Sequence, residues 1–311
     1  MNEEDAKNVL EQVGFTPQFV ASGMESFVFD IGNDRLAKVW IVQQLADVQR
    51  LKAFYKELSE KNLPFATPLI SDVLETHTGS PISIEQRMRG VPLQSLLQRE
   101  PENELLQERG RATVVAVVEA LSDAGDIPTA RQLALLGTSL LWTPEATWGL
   151  VIARLVALRA NRYRSILEHA VDNFEQKLRH IVSLLETVYT PRLGVIHGDI
   201  CTQNILVDEE TWRPSGLLDF GFLSTSADPL FDAVISALIF DMYSPHAFTH
   251  RAHLFELYIR KWTRFADVYP LYKAAYALAT SNAYSESGED GHFRWCVDIL
   301  NDAETCSLLL P

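Results

Sequence analysis

Three oxygen-bearing side chains stand at spacings suited to phosphoryl transfer. Asp199 lies in Val195-Ile196-His197-Gly198-Asp199-Ile200-Cys201-Thr202-Gln203-Asn204, five residues before Asn204. Asp219 follows Asn204 by fifteen residues, in Leu217-Leu218-Asp219-Phe220-Gly221. Phosphoryl transfer is chiefly positioning and charge neutralisation. A carboxylate must hold the attacking hydroxyl in line and accept its proton, a part that suits Asp199. Magnesium takes few protein ligands and completes its shell with phosphate oxygens, so the Asn204 amide and the Asp219 carboxylate suffice. His-Gly-Asp or Asp-Phe-Gly alone would fit a polar turn between strands. Both together, in this order and separated by apolar strand-like runs, favour catalysis.

The phosphates need donors. Ser22-Gly23-Met24-Glu25-Ser26 lies between two predicted strands, as a hairpin whose backbone N–H groups could cover a nucleotide's phosphates. Gly-Lys-Ser/Thr is absent, so this is no P-loop. Gly23 by itself is also what an ordinary turn uses. Lys38, twelve residues after Ser26, stands between Ala37 and Val39 in an apolar strand. An edge-strand charge facing solvent is one reading. Beside the downstream magnesium motif, a phosphate contact is the preferred one.

These residues require elements to position them. A helix is predicted over about 3–13, capped by Asn2 and stopped at Gly14. Phe19–Ala21, Phe27–Phe29 and Leu36–Trp40 read as a three-strand antiparallel meander. Leu45, Val48, Leu51, Phe54, Tyr55 and Leu58 recur at helical spacing, and further strands are expected over 69–74 and 82–88. Beyond Gly90 the pattern is mainly helical, with helices expected over 93–99, 102–124, 129–136, 145–160 and 164–188 and through the tail after Phe231. Ile205–Val207 and Gly216–Leu218 read as an antiparallel pair. The expected fold is α+β in two lobes: residues 1–89 with a small antiparallel sheet plus helix for the nucleotide, and residues 90–311, larger and mainly helical, for catalysis and the acceptor.

Composition narrows the partners. The 311 residues carry a net charge of −14, which argues against a nucleic-acid backbone as partner and suits a cationic substrate or simple solubility. Cys201, Cys296 and Cys306 have no metal-ligand spacing and read as free thiols of a reducing compartment. The acidic N-terminal stretch and the lack of a membrane-length apolar run point to a cytoplasmic protein without a membrane partner. A chain of this size needs no partner to fold, so a monomer or weak dimer is expected.

From the hairpin at Gly23 through Lys38, Gly90-Val91-Pro92-Leu93, His197–Asn204 and Asp219 to Asp228-Pro229-Leu230-Phe231-Asp232, the chain resembles the aminoglycoside phosphotransferases, small-molecule kinases of protein-kinase-like fold. The length, Thr147-Trp148 and the tail are similar to the hygromycin-type members. The resemblance implies Asp199 as catalytic base, Asn204 and Asp219 as magnesium ligands, and Lys38 on the α- and β-phosphates of ATP or GTP. It places Ser26 under the phosphate hairpin. It places the base against the backbone of Gln86, Arg87 and Met88, between residues such as Ala37 and Leu206. His197 braces the loop and Asp232 ties it down. The family usually pairs the strand lysine with a helix glutamate. Here the helix acids are Asp47, Glu57 and Glu60, with Gln49, Arg50 and Leu51 at the expected place, so that partner stays unassigned.

Only six residues separate Gly221 from Asp228, too few for a peptide-docking segment, so a small acceptor is expected. Its pocket is expected from the insertion between Glu102 and Val188 and from the tail, with Asp241, Glu286, Glu289 and Asp290 as acids for ammonium groups and Tyr284, Phe293 and Trp295 as sugar-stacking rings. An aminoglycoside-like antibiotic leads as acceptor. A kinase for an amino alcohol or sugar metabolite, and a weakly catalytic nucleotide-binding regulator, stay open.

Overall fold

The computed structural model describes all residues except Met24, His77, Thr78, Ser139, Leu310 and Pro311. Met24, at the centre of the expected phosphate hairpin, therefore lies outside the described residues. The chain begins with α1 (Glu3–Gln12), β1 (Gln18–Ser22), β2 (Ser26–Asp30), β3 (Arg35–Trp40), α2 (Leu45–Ser59), β4 (Ile70–Glu75) and β5 (Pro81–Gln86). It continues through β6 (Val91–Pro92), α3 (Leu93–Leu97), α4 (Glu104–Ala124), α5 (Trp148–Arg162), α6 (Arg164–Ala170) and α7 (Phe174–Thr187). Then come β7 (Gly194–Ile196), β8 (Ile205–Val207), β9 (Pro214–Leu217) and β10 (Thr225–Ala227), followed by α8 (Leu230–Ile239), α9 (Ala247–Lys261), α10 (Phe265–Thr280), α11 (Gly291–Asn301) and α12 (Ala303–Leu309).

The first lobe is a five-stranded antiparallel sheet in the order β1-β2-β3-β5-β4. Successive strand side chains point to opposite faces. Ala37, Val39, Ile82 and Ile84 therefore share one face, where they bury against Ala6, Val9 and Leu10 of α1. A capping box at Asn2 and Asp5 starts that helix. The opposite face carries Lys38, Trp40, Ser83 and Glu85. The apolar stripe of α2 (Val48, Leu51, Phe54, Tyr55, Leu58) joins Trp40 in the main core.

The second lobe is built around α8 and α10, which are buried along nearly their whole length. A helix apolar on all sides belongs inside other helices, and α10 packs against α5, α8 and α11. Two small sheets sit at the junction of the lobes. β7 pairs with β10, and β8 lies between β6 and β9. They clamp both ends of the 197–204 loop and of the 218–224 segment.

Two expected helices are corrected. The one over 129–136 is only a single 3₁₀ turn, Pro128–Gln132, because Leu136 and Gly137 take left-handed backbone and Leu136 N–H donates to the Phe222 carbonyl at 2.9 Å. The one over 164–188 is two helices. Val171 is extended and Asn173 left-handed, which breaks the chain between α6 and α7. No described helix is long and apolar enough to cross a membrane.

Candidate active site

The 197–204 loop is held by one buried acid. Asp232, in the first turn of α8, accepts the backbone N–H of His197 at 2.6 Å and of Gly198 at 2.8 Å. Burial pushes the Asp232 carboxyl up to about 7, against the pull of those two donors. Gly198 has φ +79°, and a Cβ there would meet Leu223 backbone at 2.8 Å, so only glycine fits. His197 Nε2 lies 2.6 Å from the Leu218 carbonyl, and the Asp199 N–H donates to His197 Nδ1 at 3.2 Å. Together these fix a neutral imidazole protonated on Nε2. Burial holds its pKa down to about 4, which keeps that tautomer through neutral pH.

Asp199 is thus aimed from behind by His197 and from the side by Asn204, whose Nδ2 donates to the Asp199 carbonyl at 3.0 Å and to its Oδ2 at 3.2 Å. Burial raises the Asp199 carboxyl to about 6, the Asn204 bond lowers it, and the Asp219 charge raises it again. With the NH₂ committed to Asp199, the Asn204 amide oxygen accepts no hydrogen bond from the described residues. Asp219 takes left-handed backbone, φ +54°, which Asp tolerates better than most residues. One of its oxygens accepts from Lys38 Nζ at 3.0 Å, and the other has no hydrogen-bond partner among the described residues. Two free hard oxygens, one amide and one carboxylate, are a donor set that fits magnesium. Lys38 beside it holds the Asp219 carboxyl below the usual carboxylate range.

Lys38 itself is only 8% exposed and sits on a central strand, not an edge. Burial works against its charge, but Glu85, 3.5 Å away, and Asp219 outweigh it and hold its pKa above the ordinary lysine range. Glu85 was missed by sequence reasoning. The Lys38↔Ser83 register between β3 and β5 puts it on the lysine's face, and that register is not written in either strand alone. Of the helix acids left open above, Glu57 is engaged elsewhere, its carboxylate accepting from Thr129 Oγ1 at 2.6 Å. Ala37 is also corrected: it faces α1, and Leu36, two residues before Lys38, shares the lysine's face.

The remaining nucleotide-side residues are spread along the lobe junction. Gly23 N–H donates to the Ser26 carbonyl at 2.9 Å, closing the hairpin across Ser26. Arg87 is tied away, its N–H on the Asp34 carbonyl at 2.8 Å and its guanidinium on Asp30 at 2.9 Å. Gln86 is exposed at the end of β5. Met88 has no backbone hydrogen bond to the described residues, and it lies with Leu206 against Gly216.

On the other side of Asp199 opens a cleft of about 970 Å³, within the range of small-molecule sites. Asp199, Cys201 and Asn204 line its floor, and Glu102, Asp241, Asp290, Tyr243 and Tyr284 are among its walls. Asp241 is satisfied locally by Ser244. Asp290 caps α11 through one oxygen, on Phe293 N–H at 2.7 Å, while its Oδ2 is buried without a partner among the described residues. Glu286 lies outside, paired with Arg162 at 2.7 Å, and Glu289 is exposed and does not line the cleft. Phe293 is in the core and Trp295 stacks on His292, so of the three expected rings only Tyr284 faces the cleft. Glu102 and Tyr243 come from segments far apart in sequence, with no local pattern to mark them. The Cys201 thiol, pushed up to about 12 by burial and then by the Asp199 charge, is inert filler.

A half-buried carboxylate at a cleft, two oxygen donors and a buried lysine form a candidate site with the groups that phosphoryl transfer would use, on a kinase-like fold. Residues 18–268 match the phosphotransferase enzyme family, APH, and the chain belongs to it. No curated protein matches it significantly. Among solved structures it is similar to a thermostable mutant of aminoglycoside phosphotransferase APH(4)-Ia in ternary complex with ADP and hygromycin B. That pair is 18% identical with TM-score 0.69, over 97% of this chain and 98% of that one. The GDP complex of aminoglycoside 2'-phosphotransferase-IIIa is 16% identical with TM-score 0.57, over 96% and 99%. ADP-bound APH(2'')-Ib is 15% identical with TM-score 0.56, over the whole of both chains. At these identities the likeness establishes the fold.

Proposed function

We propose that the protein transfers the γ-phosphoryl group of ATP or GTP to a hydroxyl of a small cationic acceptor of the aminoglycoside class, in the cytoplasm. Residues 1–89 serve as nucleotide lobe and 90–311 as catalytic and acceptor lobe. One observation carries the reading: Asp199 lies at the floor of an open cleft whose walls hold Glu102, Asp241 and Asp290.

The acceptor hydroxyl donates to Asp199 Oδ, which keeps its oxygen in line with the γ-phosphorus and receives its proton as the new P–O bond forms and the bond to the β,γ-bridging oxygen breaks, releasing the nucleoside diphosphate. Asn204 orients that carboxylate through its NH₂. Its amide oxygen and Asp219 would hold magnesium, which would supply charge neutralisation at the phosphates. Lys38 draws the α- and β-phosphates to the sheet, with Gly23 and Ser26 of the hairpin above them. Gln86 and Met88 offer backbone groups to the base beside Leu206. The Arg87 N–H is taken by the Asp34 carbonyl, which leaves the Arg87 carbonyl for that contact. Asp290 Oδ2, buried without a donor, suits an ammonium group, and Tyr243 and Tyr284 suit sugar faces. The segment from Phe222 to Ala227 runs straight into β10 against β7, which leaves no platform for a peptide and favours a small acceptor.

The test is incubation with magnesium and ATP or GTP against a panel of aminoglycosides, amino alcohols and sugars, read by mass spectrometry. A phosphorylated aminoglycoside is the expected product. A phosphorylated metabolite only would move the acceptor class, and tight nucleotide binding with no product would favour a regulator.

A further inference from the structure

The helix that usually supplies the lysine's carboxylate partner does not supply one here. Asp47 is spent on Arg50 and on the first turn of α2, and Glu57 on Thr129. The helix instead turns Tyr55 inward, fully buried, with its hydroxyl 3.4 Å from the Phe220 carbonyl. We propose that Glu85, on β5, takes that part and is the positioning residue that presents Lys38 to the nucleotide's phosphates. The inference rests on the phosphate-contact role given to Lys38 above.

The hydrogen bonds around Glu85 run in one direction. The Trp40 indole can only donate, and it does so to Ser83 Oγ at 3.0 Å. The serine's own proton is then free for Glu85 Oε1, at 2.9 Å. Glu85 Oε2 is left for Lys38 Nζ at 3.5 Å. Both carboxylate oxygens are engaged and the group is 4% exposed. A closed buried network of this kind fixes geometry. The second partner of Lys38 differs. The Asp219 side chain is 63% exposed, and its carboxylate is also the one facing the metal. Screened and competed for, that contact is exchangeable, whereas the dry contact to Glu85 is not. Lys38 can therefore trade Asp219 for phosphate oxygens while Glu85 keeps hold of it.

The test is a double-mutant cycle on the full chain, with magnesium–ADP and adenosine affinities measured by calorimetry. Glu85→Gln is expected to weaken ADP about tenfold, as coupled buried partners do, and to leave adenosine within about twofold. Glu85→Asp should recover most of the loss. In a Lys38→Met background, Glu85→Gln should cost nothing further. Unchanged ADP affinity in Glu85→Gln, an equal loss for adenosine, or additive losses in the cycle would each overturn the proposal. If Lys38→Met alone leaves ADP binding intact, the phosphate role of Lys38 falls and this inference with it. A strong Lys38→Met effect beside a silent Glu85→Gln removes the inference alone. Should Glu85→Gln fail to fold, Ser83→Ala removes only the orienting hydroxyl, and an ADP loss of about threefold supports the proposal while none refutes it.

Discussion

Behind the reacting groups charges are spent in closed networks, while the faces turned to the cleft keep some in reserve. Behind Lys38, the Trp40–Ser83–Glu85 chain leaves no polar atom idle, and Asp232 answers two backbone donors at once. Across Asp199, Asp290 Oδ2 has no partner, and Tyr243 and Tyr284 are 67% and 57% exposed. A nucleotide presents the same phosphates at every turnover, so its site gains from rigidity. An acceptor of the proposed class would meet groups that still have bonds to make.

The contrast breaks most sharply at Asp232. Asp232→Ala strands two buried N–H groups, and a loss of about 3 kcal/mol or more in thermal or urea unfolding is expected. Asp232→Asn, which keeps one acceptor oxygen, should lose less. An unchanged melting curve for Asp232→Ala would mean that the loop is not held from α8.

On the acceptor side a charge change should cost affinity and little stability. Asp290→Asn keeps the oxygen that caps α11 and removes the charge. It should raise KM for a cationic acceptor such as hygromycin B about tenfold, the equivalent of one charged hydrogen bond, with KM for the nucleotide unchanged. Glu289→Lys, one residue away but outside the cleft, should shift that KM by less than about twofold, as exposed charges do. Equal effects at the two positions would dissolve the distinction between cleft and surface acids. The smallest change is expected at Glu57→Gln. Turnover should hold, and stability should fall by about 1 kcal/mol from the weakened contact to Thr129. A large drop in turnover would restore a helix acid as the partner of Lys38.

What the sequence makes legible follows from the same contrast. His197, Asp199, Asn204 and Asp219 lie within one short stretch, so their spacing alone carries the chemistry, and the alternation around β3 marks Lys38 as unusual. The N-terminal helix and meander were readable from period and caps. Glu85 was not, because its role depends on which residue of β3 lies opposite Ser83. The cleft was legible in part: Asp241, Asp290 and Tyr284 were expected there and line it, whereas Glu102 and Tyr243 join them only once the chain is folded. Acidic character alone placed Glu286 and Glu289 beside Asp290, while the fold turns Glu286 onto Arg162. The break between α6 and α7 came from one left-handed Asn173, which helical periodicity does not register.

The central claim is that Asp199 handles the acceptor hydroxyl and not the nucleotide. Asp199→Ala, assayed with magnesium, ATP and a turned-over acceptor, should lose turnover by on the order of a thousandfold. Its affinity for ADP should stay within about twofold of the parent. Turnover near the parent's, or nucleotide affinity lost together with turnover, would contradict it.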